Sequence, residues 1–157
     1  MNKKHLLIKI LMVLFLVCYL GLLYTSDNAK NIPIDQISAA MEETSSVTAL
    51  SKKGRVDLKR FYQIEEKDTD GYFFYKAESP MAVDEILIVK APDRGQADSF
   101  LEAVRSHLSS QKNIFEGYGT DQMALLNNAV TERRGNYVYY MCGADAAAWR
   151  KKLLSLI

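Results

Sequence analysis

Val83-Asp84-Glu85-Ile86-Leu87-Ile88-Val89-Lys90-Ala91 decides how this chain folds. A strand with one wet face alternates apolar and polar residues. A strand covered on both faces carries a continuous apolar run, as Ile86 to Val89 does. The segment is therefore expected to be a central strand with packed elements on either side. Upstream lies Tyr72-Phe73-Phe74-Tyr75-Lys76-Ala77, four consecutive aromatics with strong β preference. Asp70-Gly71 marks a tight turn before it, and Ser79-Pro80 breaks the chain after it. So short a separation predicts an antiparallel strand pair over 72–91.

Downstream, Pro92-Asp93-Arg94-Gly95-Gln96 opens a long helix over 93–113, with Asp93 and Gln96 spaced as a capping box. Ala97, Phe100, Leu101, Val104, Leu108 and Gln111 mark its inner face, and His107 borders it. Glu116-Gly117-Tyr118-Gly119-Thr120 is a joint, with Tyr118 expected to plug the core beside it. Thr120 or Asp121 then caps a helix over 120–129. Residues 130–142 read as a hairpin bent at Arg134-Gly135-Asn136, and 145–157 as a C-terminal helix with Trp149, Leu153 and Ile157 inward.

Before the strand pair, Ile34, Ile37 and Met41 repeat at helical spacing in a helix over 33–46 capped by Asp35. Lys52-Lys53-Gly54 reads as a turn, and Asp57 as the cap of a helical turn presenting Leu58, Phe61 and Tyr62. The expected architecture is α+β: one N-terminal transmembrane helix, then a single domain whose roughly four-stranded antiparallel sheet is packed by helices.

The N-terminal expectation rests on Leu6 to Tyr24, which is apolar apart from Lys9. A bilayer core takes about 20 such residues as a helix. Lys3, Lys4 and Lys9 precede or begin the run and no acid occurs before Asp27, so the basic flank stays in the cytoplasm. Residues 1–26 are read as leader and anchor, with contact to the membrane through residues 6–25, and 27–157 as an extracytoplasmic domain. A cleaved signal peptide, followed by secretion, is the alternative.

The whole chain carries 20 basic and 19 acidic residues, for a net charge of +1. Without the three leader lysines the remainder is slightly acidic. That excludes a nucleic-acid surface, which must be basic. Cys18 in the apolar run and Cys142 in a strand offer no disulfide framework. The two histidines, His5 and His107, form no metal-spaced cluster with cysteine. Glu65, Glu66, Asp68 and Asp70 lack the full spacing of a calcium loop. His107 has no nucleophile or carboxylate spaced in sequence to use it, and Cys142 reads as a small buried hydrophobe. No hydrolase, phosphate-loop or dinucleotide motif occurs. No catalytic, cofactor-binding or metal-binding residue is assigned, and the chain is expected not to be an enzyme.

Three stretches carry a family resemblance: Val83 to Lys90; Ser110-Gln111-Lys112-Asn113-Ile114-Phe115-Glu116-Gly117-Tyr118; and Asn127-Asn128-Ala129-Val130 with Gly135-Asn136-Tyr137-Val138. In this order they resemble DUF4358, a bacterial domain family of unknown function found in exported proteins of Clostridia and their relatives. The resemblance runs from near Leu58 to the C-terminus. It implies an N-terminal signal or anchor and transfers no activity. Its association with membrane-bound O-acyltransferases implies an accessory part in modifying a surface polymer.

The leading expectation is a membrane-anchored, extracytoplasmic, non-enzymatic module of the cell envelope that binds a protein partner. One alternative is a cell-wall glycan-binding module or weak hydrolase. It requires Tyr72, Tyr75, Tyr118, Tyr137, Tyr139 or Tyr140 to cluster on an open face around Glu85 or Glu132. The other is an adaptor of an acyltransferase complex.

Overall fold

The computed structural model describes residues 3–117 and 119–157, with side chains apart from those of residues 3, 4, 6 and 22–27. In chain order the elements are α1 (Lys3–Asp27), α2 (Ile34–Glu42), α3 (Ser45–Thr48), β1 (Ser51–Lys52), α4 (Arg55–Tyr62), β2 (Tyr72–Lys76), β3 (Glu85–Lys90), α5 (Arg94–Phe115), α6 (Thr120–Asn127), β4 (Val130–Arg134), β5 (Tyr137–Cys142) and α7 (Ala146–Leu156).

One antiparallel sheet in the order β1-β2-β3-β5-β4 forms the middle layer. It has five strands rather than four. The additional strand, β1, is two residues long, too short to show a period-2 pattern. It takes in Lys52, where the sequence reads as a turn, because Ser51 and Lys52 pair with Lys76 and Tyr75 at the edge of β2.

β3 lies at the centre, and Ile86 to Val89 are fully buried. Successive side chains point to opposite faces. Leu87 and Val89 therefore join Leu58, Phe100, Val104 and Leu126 under α4, α5 and α6. Ile86 and Ile88 join Ile37, Met41, Trp149 and Leu153 under α2 and α7. Each buried aliphatic side chain contributes about 1.5 to 3 kcal/mol. Helices on both faces explain why β3 shows no alternation in sequence.

Helix ends follow local chemistry. Asp93 accepts from the Gln96 amide at 2.8 Å and starts α5. α5 runs two residues beyond the expected 113 because Phe115 is buried in the core. Asp57 is not the cap of α4. Gly54 is, and Asp57 accepts its amide from within the first turn. Asp35 likewise sits inside the first turn of α2, behind Pro33, and makes no capping hydrogen bond. Gly119, rather than Thr120 or Asp121, precedes α6. Gly135, at φ +57°, makes the β4–β5 turn. Tyr118, expected to plug the core, lies outside the described residues.

α1 is 25 residues long. Among the described residues, no helix is long and apolar enough to cross a membrane. The described apolar run, Leu7 to Leu20, extends about 21 Å at 1.5 Å per residue, against a hydrocarbon core of about 30 Å. The expected transmembrane helix also draws on Leu6, Leu22, Leu23 and Tyr24, whose side chains lie outside the described set. The large apolar residues from Leu7 to Leu20 are 52 to 74 % exposed, and they occur all around the helix.

Candidate functional site

The most concentrated chemistry lies between the sheet and α5, around Glu85. β3 begins with this residue and points it to the α5 side, among apolar side chains. It is fully buried. Three donors meet its carboxylate: the Tyr62 hydroxyl donates to Oε1 at 2.5 Å, the Lys76 ammonium to Oε2 at 2.7 Å, and His107 Nε2 lies 3.1 Å from Oε2. Because an ionised carboxylate only accepts, the hydrogen in that last bond belongs to Nε2. Burial opposes the charge, but His107 and Lys76 outweigh it and hold Glu85 below the usual carboxylate range.

Four elements converge here. α4 ends with Tyr62, β2 ends with Lys76 opposite Glu85 in register, and α5 supplies His107. β5 places Cys142 opposite Glu85 on the other side. Aromatic rings wall the histidine. The Tyr62 ring centroid lies 4.4 Å from that of His107, Tyr140 5.6 Å and Phe61 6.1 Å. Lys76 is the member nearest solvent, with 12 % of its side chain exposed, and its ammonium lies 5.4 Å from the Phe61 ring centroid.

A cysteine, a histidine and a carboxylate thus share one face. Spacing along the chain gave His107 no carboxylate, but the pairing of β2, β3 and β5 brings one. The set is not arranged for nucleophilic chemistry. A reactive thiol needs a depressed pKa, whereas burial pushes Cys142 up to about 12, and the Glu85 charge opposite adds to it. Burial likewise drives the Tyr62 and Tyr140 hydroxyls well above the ordinary tyrosine value. The Tyr140 hydroxyl is buried with no hydrogen-bond partner among the described residues.

Among the described residues, the tyrosines named for a glycan surface do not gather on an open face. Tyr75, Tyr137, Tyr139 and Tyr140 are buried, Tyr72 is partly buried, and Tyr118 lies outside the described residues. Three of the buried hydroxyls are engaged. Tyr75 donates to Glu42 at 2.6 Å, Tyr139 to Glu132 at 2.7 Å, and Tyr137 both donates to and accepts from the Ile32 backbone. Glu132 is itself bound by Arg150 at 2.9 Å. Asp84 and Glu85 diverge, with Asp84 on the Trp149 side beside Gly143. Among the described residues, no three His, Cys, Asp or Glu side chains are grouped to hold a metal, the acidic 65–70 loop included.

Residues 43–143 match the domain of unknown function DUF4358. The chain belongs to this family. No curated protein and no solved structure matches it. The DUF4358 match starts before the resembling stretch read from sequence, which began near Leu58, and ends at Gly143, short of α7. It therefore holds the whole sheet and all of Tyr62, Lys76, Glu85, His107 and Cys142, and leaves α1, α2 and α7 outside.

Proposed function

We propose that this DUF4358 protein is a membrane-anchored, non-enzymatic accessory module of the cell envelope. In this reading α1 is held in the bilayer, and the α+β domain outside presents a rigid surface to a protein partner. The carrying observation is the exposure, on every side, of the described apolar side chains of α1. Leu7, Leu11 and Phe15 are exposed, and so are Ile10, Leu14 and Val17 on other sides of the helix. A helix apolar all round needs lipid or other helices around it. Its helical backbone continues to Asp27, which at 1.5 Å per residue makes about 37 Å in all. The lysines at its start and the absence of acids before Asp27 favour an inside N-terminus.

The non-enzymatic part is supported by the state of the Glu85 cluster. Its carboxylate is saturated with donors, and its thiol is held protonated. Such a buried network rigidifies a core and specifies one packing.

Membrane fractionation with alkaline carbonate washing tests the anchor, and a reporter active only outside the cytoplasm, fused after Ile157, tests the orientation. The protein is expected in the washed membranes with an active reporter. Recovery in the soluble fraction overturns the anchor. Crosslinking in cells followed by mass spectrometry tests the partner. The expected result is one protein captured repeatedly, and an uncrosslinked inert monomer counts against the module reading.

A further inference from the structure

Where α1 joins the domain, four segments enclose a polar cleft of about 350 Å3. The α1–α2 connector contributes Asn28 and Asn31, the loop before β2 contributes Asp70, the end of β3 and the start of α5 contribute Lys90 and Arg94, and the hairpin turn contributes Asn136. Lys90 is partly buried. Its ammonium lies 5.7 Å from the Tyr137 ring centroid, and no carboxylate among the described residues is within ion-pair distance of it. Charges withdrawn from water are normally paired. Arg94 is oriented at the cleft by its hydrogen bond to Asn28 Oδ1 at 3.1 Å. The amides of Asn31 and Asn136 add neutral donors, and among the described residues the only carboxylate in the lining, Asp70, is exposed.

Two cations with surrounding amide donors suit a phosphate oxyanion. The cleft also begins one residue beyond the last residue of α1. We propose that it binds the phosphate of an anionic phospholipid headgroup, docking the domain against the bilayer surface. The lipid source rests on the anchor reading above, whereas the phosphate chemistry rests on the cleft alone.

The test is calorimetric titration of the full chain in neutral detergent with short-chain phosphatidylglycerol, short-chain phosphatidylcholine and inorganic phosphate. Phosphatidylglycerol is expected to bind saturably and phosphatidylcholine not to bind. Lys90→Gln and Arg94→Gln are each expected to weaken binding about fivefold, the worth of one basic residue near an anionic surface. Asp70→Asn is expected to strengthen it, and added salt to weaken it. Circular dichroism of each variant confirms that the fold is kept.

Inorganic phosphate that displaces phosphatidylglycerol and binds as tightly would overturn the lipid source and assign a free anion. Equal response to both lipids with no response to phosphate overturns the site, as does binding indifferent to both substitutions. If fractionation finds the protein soluble, the phosphate titration is run without detergent and still decides the cleft, so failure of the anchor and failure of the site are separable.

Discussion

Glu85 carries a fully buried charge that three partners satisfy. Removing one member of such a set leaves the others uncompensated. Glu85→Gln is expected to cost about 3 kcal/mol at neutral pH, read from urea midpoints. The pH dependence has a defined sign. Its folded pKa is depressed, so the stabilisation is present above the unfolded carboxylate value and is lost as pH falls through the folded one. The gap between wild type and Glu85→Gln should therefore narrow below about pH 4.3. Parallel curves down to acid would mean that Glu85 is not the titrating group. Gly71 makes a second prediction. Its φ is +125°, and an added Cβ would lie 2.7 Å from Ile34 Cγ2. Gly71→Ala combines backbone strain with overpacking and is expected to destabilise by about 2 kcal/mol, measurable as a lowered Tm.

At the scale of elements, the two helical layers are attached to the sheet by different means. α5 lies on its face through Phe100 and Val104 and starts at the Asp93 cap. α7 is fastened by Trp149, which packs on the sheet and whose indole donates to Ser46 Oγ at 3.0 Å, joining α7 to α3. Trp149→Ala is expected to cost about 3 to 5 kcal/mol and Trp149→Phe much less, since Phe keeps most of the apolar contact and loses the indole donor. Equal losses in thermal unfolding would place the energy in the hydrogen bond instead. α7 lies outside the residues matched to DUF4358 yet packs on one sheet face together with α2.

For the whole molecule, the two clusters of the core draw on Ala29 and residues beyond it, and on no described side chain of α1. A fragment comprising residues 28–157 is therefore expected to keep the near-ultraviolet circular dichroism of the packed aromatic core and the unfolding midpoint, to lose only the helical signal of α1, and to dispense with detergent. Ala29 must be retained, because it packs against the sheet and lies beside Gly135 in the hairpin turn. Loss of structure in that fragment would show that α1 contributes to folding of the domain and is not merely attached to it.

Local chemistry made much of the architecture legible. The unbroken apolar run of β3, the aromatic run of β2, the period-3.6 patterns around them, the glycine of the hairpin and the Asp93 cap are short-range signals, and they led to an α+β domain with β3 inside. The two-residue β1 was not legible, since a strand that short has no pattern of its own and exists only because β2 offers an edge. The Glu85 cluster was not legible either. Tyr62, Lys76, Glu85, His107 and Cys142 follow one another at intervals of 14, 9, 22 and 35 residues, and nothing in that spacing relates them. Strand register alone sets Lys76 and Cys142 on either side of Glu85, and α5 crossing that face brings His107 to it. The sequence by itself determined the family and the elements other than α3 and β1, because periodicity, turn chemistry and apolar runs act between near neighbours. The tertiary structure decided which tyrosines are buried, which carboxylate the histidine meets and which segments bring Lys90 and Arg94 to one cleft, because those outcomes depend on contacts between residues distant in the chain.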